Sequence, residues 1–159
     1  MDLTFQINVE EKFNVRSAAV IKYNDYYLIG KRDDKDYYSI PGGRINFGED
    51  SKRAVIRELK EELNFDVSLD NIKLVRIIEN FFYFKDNTKY HEYLFIYEIE
   101  GAKEMFLRGN FINLENPNMH MLWYKKEDFL KLNIKPDLIK EIVFDNTFKH
   151  IIFKEEKTS

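Results

Sequence analysis

The sequence predicts an α/β fold, a mixed β-sheet with helices on both of its faces. Three observations carry this expectation. Several segments are β-branched, apolar or alternating, as strands are, beginning with TFQINV and VRSAAVIKY. One segment, from about Ser51 to Leu63, has strong helical periodicity. Shorter helical stretches follow near the C-terminus, so helices and strands are mixed along one chain.

Asn24-Asp25 makes a tight turn, which pairs SAAVIKY with YYLIGKR as a hairpin. Ser39-Ile40-Pro41-Gly42-Gly43 reads as a loop. Ile40 is extended there because a proline follows it. The two glycines allow unusual backbone angles or the close approach of a ligand. Asp50 is a suitable N-cap for the helix, since its carboxylate can accept free amides of the first turn. Val55, Ile56, Leu59 and Leu63 fall within an arc of roughly 100° and form one buried face. After Asn64 the chain returns to strand in VSL, KLVRIIENFFYF and YHEYLFIYEIE, with Lys85-Asp86-Asn87 as a polar turn. Gly101 to Met119 reads as loop and MHMLWYK as a short strand. EDFLKLN and PDLIKEIVFD read as short helices, the second with Pro136 near its start. The charged tail KEEKTS is expected to fray.

Composition narrows the function classes. The chain has 159 residues, enough for a single domain over 1–159 with a real core. A hydrophobic content of 44% and a charged content of 33% are those of a globular protein. Aromatic residues make up 16%, so some are expected in a pocket or interface, and a homodimer is compatible with them. Without cysteine there can be no disulfide, thiolate metal site or cysteine nucleophile. A net charge of −3 does not suit a general nucleic-acid binder. A bound phosphate compound would need a metal ion or a few local cations. The N-terminus lacks an apolar signal region, and no apolar run reaches the ~18–20 residues of a membrane span. A cytoplasmic protein with no membrane partner is expected.

Four glutamates fall between Glu49 and Glu62, three of them in R-E-L-K-E-E. Glu58, Glu61 and Glu62 share one arc of the helix beside the apolar stripe. Ala54 lies in that arc too, and its small side chain leaves room above the carboxylates. Their mutual repulsion raises their pKa values unless a positive charge sits among them. Hard divalent cations take such oxygen ligands, and Mg²⁺ suits one or two carboxylates with phosphate oxygens. The same acids also read as a solvated charged face partnered by Lys52, Arg53, Arg57 and Lys60.

The stretch GGRINFGEDSKRAVIRELKEELNFDV resembles the Nudix box, G-x5-E-x7-R-E-U-x-E-E-x-G-U with U a bulky apolar residue. Gly43, Glu49, Arg57-Glu58-Leu59, Glu61-Glu62 and Phe65 take the box positions, and Asn64 stands where the family has its last glycine. Asparagine is the commonest non-glycine residue to accept a left-handed backbone, so a positive φ is expected at Asn64.

The resemblance implies a Nudix-type α/β/α sandwich with a mixed β-sheet and a box that forms loop, helix and loop. It implies a Mg²⁺-dependent pyrophosphohydrolase, with Mn²⁺ as a possible substitute. Water would attack phosphorus in the diphosphate linkage of a nucleoside diphosphate joined to a group X. Carried over by position, Glu58, Glu61 and Glu62 are metal ligands, with the Gly42 carbonyl as a further one. Glu58 is also a candidate base, and Arg57 pairs with Glu49 to hold the cluster in register. A pair between Arg57 and Glu61 is the alternative. Members often recruit another ligand or base from outside the box, for which Glu92, Glu115 and His120 are candidates. Arg16, Arg32, Tyr38, Trp123 and His120 are candidate substrate contacts, although strand-end cations are often solvated and aromatic rings often only pack. A non-catalytic module of the same fold that senses a nucleotide or sugar phosphate is the alternative function. It is disfavoured because all four box glutamates are present.

Overall fold

The computed structural model describes residues 1–84 and 86–155. Its sheet is organised around two long strands, β2 (Glu11–Tyr23) and β7 (Lys89–Ile99), which run parallel from Glu11 opposite Lys89 to Ile21 opposite Ile99. The centre of β2 is buried on both faces, which suits the apolar run Ala18 to Ile21. β3 (Tyr26–Arg32) returns antiparallel after the turn at Asn24, whose φ of 51° is left-handed. β6 (Ile72–Tyr83) pairs antiparallel with β7. With β8 (Phe111–Ile112), β9 (Met119–Lys125) and β10 (Lys149–Lys154), the order is β10-β6-β7-β2-β3-β9-β8. β1 (Thr4–Gln6) and β5 (Gly42–Arg44) add to β2, and β4 (Tyr38–Ser39) adds to β3.

Successive residues of β2 feed opposite layers, as the two-residue period of a strand requires. Ala19 and Ile21 meet Val55, Leu59 and Leu63 of α1 (Ser51–Leu63). Ala18 and Val20 meet Phe129 at the end of α3 (Lys126–Phe129), together with Ile134, Ile139 and Ile142. The result is the expected three-layer arrangement with a mixed sheet. Among the described residues no helix is long and apolar enough to cross a membrane.

Several elements differ from the sequence expectation. VSL is not a strand: Ser68 accepts the Asp70 amide and starts a 3₁₀ turn at Leu69–Asn71. Residues 39 to 43 are not wholly loop, because β4 and β5 use them to join the sheet. The segment from Gly101 to Met119 holds the five-residue helix α2 (Lys103–Leu107) and β8. PDLIKEIVFD forms a 3₁₀ helix over Asp137–Val143, and EDFLKLN is helical only to Phe129. β10 was not expected. The Arg76 guanidinium, 1% exposed, donates to the carbonyls of Asp145 and Thr147 and so delivers that strand parallel to β6. Lys154 and Glu155 of the tail are pinned rather than frayed, the Glu155 amide donating to the Phe81 carbonyl at 2.8 Å. The last four residues of KEEKTS, and Lys85 of the predicted turn, lie outside the described residues.

Candidate active site

Both ends of α1 are fixed as its sequence suggests. The Asp50 carboxylate accepts the Arg53 amide at 2.8 Å. At the other end Asn64 has φ 50° and ψ 41°, and its amide donates to the Lys60 carbonyl at 3.0 Å. Arg108 reaches back from the end of α2 to the carbonyls of Leu63 and Asn64, at 2.8 and 3.1 Å. A cation there suits the negative end of the helix dipole. One expectation needs correction. Ala54 is fully buried and belongs to the packed face, so it makes no open space above the carboxylates.

The paired glycines serve close approach. A Cβ at Gly42 would overlap the Ser17 carbonyl and Ala18 on β2, while one at Gly43 would overlap the Glu58 carboxylate. Glycine at both positions lets β5 lie directly between β2 and the acidic face of α1.

Arg57 is the hub of that face. Its Nε and Nη2 donate to the two oxygens of Glu49 at 2.7 and 2.9 Å. Nη1 donates to Glu58 at 3.0 Å and to Glu61 at 3.3 Å, and Nη2 also donates to the Arg44 carbonyl at 3.1 Å. Both pairings foreseen for Arg57 therefore occur, and the forked one to Glu49 has the better geometry. The guanidinium holds the Glu49 carboxyl below its usual range, and Glu49 raises Arg57 in turn.

Glu62 faces the opposite problem. Burial, then its hydrogen bond with Glu58, pushes its carboxyl up to about 8. Asn113, on the loop after β8, donates to Glu62 Oε2 at 3.2 Å. The same loop carries Glu115, and carboxylate oxygens of Glu58, Glu61 and Glu115 lie within 4.8 Å of one another. Partial desolvation raises the Glu115 carboxyl, and Glu61 and Glu58 add to it. Of the three outside candidates, Glu115 is the one brought into this group.

Gly43 also borders a cavity of about 320 Å³ lined by Asn14, Arg16, Arg44, Phe82, Phe84, Tyr90 and Glu92. Glu92 is 4% exposed, and burial raises its carboxyl against the pull of Arg16. The Oδ1 atoms of Asn14 and Asn80 are buried without a hydrogen-bond partner.

This arrangement can be compared with known proteins. The model of the NUDIX domain matches residues 13–143. The chain belongs to the NUDIX family. The mutator MutT protein of Bacillus halodurans is similar in fold at a TM-score of 0.63 and 18% identity, over 89% of this chain and 90% of that one. A MutT structure from work on Aliivibrio salmonicida and Vibrio cholerae gives 0.59 and 20%, over 82% and 96%. A NUDIX hydrolase of Nitrosomonas europaea gives 0.61 and 15%, over 89% and 79%. In sequence, a putative 8-oxo-dGTP diphosphatase of Bacillus subtilis (strain 168) is 33% identical over 52 residues. That match spans 33% of this chain and about a third of the relative's length, 35%.

Within the Nudix frame the candidate substrate contacts separate. Arg16 lines the cavity beside Gly43. Arg32 is paired with Asp34 at 3.0 Å, and His120 with Asp33 at 2.9 Å, both near the surface. Tyr38 packs against the core of the α3 layer with its hydroxyl 3.2 Å from that of Tyr124. Trp123 packs edge-on to Phe106 in the α1 layer. Sequence reasoning missed Asn113, Arg108 and Arg44. Arg44 directly follows Gly43 inside the box, which was the available signal, and its register opposite Arg16 emerges only on folding.

Proposed function

We propose that this Nudix chain is a divalent-cation-dependent pyrophosphohydrolase that uses Mg²⁺, or Mn²⁺ in its place. Its substrate would be a nucleoside diphosphate joined to a group X, cleaved at the diphosphate linkage by water. The observation that carries this reading is the set of oxygen donors from Glu58, Glu61 and Glu115 within 4.8 Å, with Glu62 beside them.

The donors fit a hard cation, being all carboxylate, and a positive charge there would relieve the Glu62 carboxyl, which burial and then Glu58 push up. Glu58, Glu61, Glu62 and the Gly42 carbonyl would hold the cation, with Glu115 joining from outside the box. When bound, the cation polarises phosphoryl oxygens and offsets their charge. Arg57 keeps Glu49, Glu58 and Glu61 in one arrangement through a guanidinium whose charge no accessible pH removes. Glu58 lies at the centre of these contacts and is assigned the proton from the attacking water. Arg16 and Arg44 lie in the adjoining cavity, where their charge suits the phosphates of the substrate. Phe82, Phe84 and Tyr90 offer faces for a flat ring.

The printed name of the Bacillus subtilis relative supports placing oxidised nucleoside triphosphates in the substrate screen. The test is a panel of nucleoside triphosphates, nucleotide sugars, dinucleotides and dinucleoside polyphosphates with Mg²⁺, followed by phosphatase and phosphate detection. Cleavage of at least one compound is expected. Binding of several with cleavage of none would replace this reading with that of a sensing module.

A further inference from the structure

Glu115 has to be held where two other carboxylates repel it, although it sits exposed on a loop. The loop has no secondary structure to do this. One buried side chain spans the gap. Asn113 is 6% exposed and every polar atom of its amide is used. Its Nδ2 donates to Glu62 Oε2 at 3.2 Å. Its Oδ1 accepts the amides of Glu115 at 2.9 Å and Asn116 at 3.1 Å. Which end is oxygen is decided by chemistry, since a backbone amide can only donate to it. Its own amide donates to the Met119 carbonyl at 2.9 Å, and the next amide, of Leu114, donates to the Glu62 carbonyl at 2.8 Å. The loop is thereby closed at its base and tied to the last turn of α1 by both main chain and side chain.

We propose that Asn113 is a positioning residue which sets the Glu115 carboxylate against Glu58 and Glu61 by joining the Glu115 amide to the Glu62 side chain. This rests on the reading of the carboxylates as a divalent-cation site. Residues that orient ligands from outside typically change metal affinity by roughly 10- to 100-fold when lost. Asn113 acts on Glu115 and Glu62 together, so its loss is felt through ligand placement rather than through folding alone.

The test is a Mn²⁺ titration of the metal-free protein, followed by electron paramagnetic resonance, for wild type, Asn113→Ala, Glu115→Ala and the double variant. Asn113→Ser is included because a hydroxyl can still accept within the turn and so favours folding, and it is read in the same way if the alanine variant does not fold. Asn113→Ala or Asn113→Ser is expected to weaken Mn²⁺ binding about tenfold or more. In the double variant the loss should be no greater than in Glu115→Ala combined with the contribution of the Glu62 contact alone, that is, clearly less than the product of the single losses. Wild-type affinity in the Asn113 variants, or losses that multiply fully, would overturn the inference while leaving the cation site intact. A wild type that does not bind Mn²⁺ would overturn both.

Discussion

At the scale of single residues, Glu62 shows the cost of building the cluster. Its carboxyl lies at about 8 in the folded chain against an ordinary 4.5. The folded state therefore keeps a proton that the unfolded chain releases, and that stability is present at low pH and lost as pH rises through 8. Metal-free wild type should melt lower at about pH 9 than at about pH 6. Glu62→Gln, neutral throughout, should show a smaller fall, since other buried carboxyls such as Glu92 and Glu98 are common to both proteins. Equal falls would show that Glu62 is not the protonated group. Gly43→Ala makes a second test, because a Cβ there meets the Glu58 carboxylate. A displacement of about 1 Å at a reacting group can cost about 10²-fold, and a loss of that order in turnover is expected with little change in melting temperature.

At the scale of elements, α1 and the long strands β2, β3, β6 and β7 were legible in the sequence, and the short connecting elements were not. The apolar period of α1, the Asp50 cap and the Asn64 stop are all local signals, and the helix runs over Ser51–Leu63 as they require. The strand MHMLWYK was likewise readable from its own residues. β10 was not, because a short KHIIFK segment becomes a strand only through parallel pairing with β6, far away in sequence. Glu115 could be named as one candidate among three, but the loop that brings it to α1 depends on Asn113, which no motif marks. The left-handed cap yields a stability prediction. Asn64→Gly should be within ~0.5 kcal/mol of wild type or slightly more stable, whereas Asn64→Val, which resists positive φ, should cost about 1–2 kcal/mol. Chemical denaturation measures both, and equal stability of the two variants would contradict the cap.

At the scale of the whole molecule, the sheet and its two layers separate support from chemistry. α1 and β5 bring the carboxylates to one side of β2, and the cavity with Arg16 and Arg44 adjoins them through Gly43. A larger cavity of about 610 Å³ lies around Phe13, Phe81 and His91, and no box residue lines it. β10 is an edge strand held by β6 and by Arg76. Arg76→Ala should therefore speed hydrogen exchange at β10 amides more than at α1 amides, because local opening needs only that edge to part. Uniform acceleration across both elements would mean that Arg76 supports the fold as a whole. The proposed chemistry is hydrolysis of a diphosphate bond at the carboxylates of α1. Its most direct test is the Mg²⁺-dependent cleavage rate of wild type against Glu62→Gln on one responsive substrate. A loss of at least ~10²-fold is expected, since the substitution removes a metal-bearing carboxylate, and a variant as active as wild type would contradict the assignment.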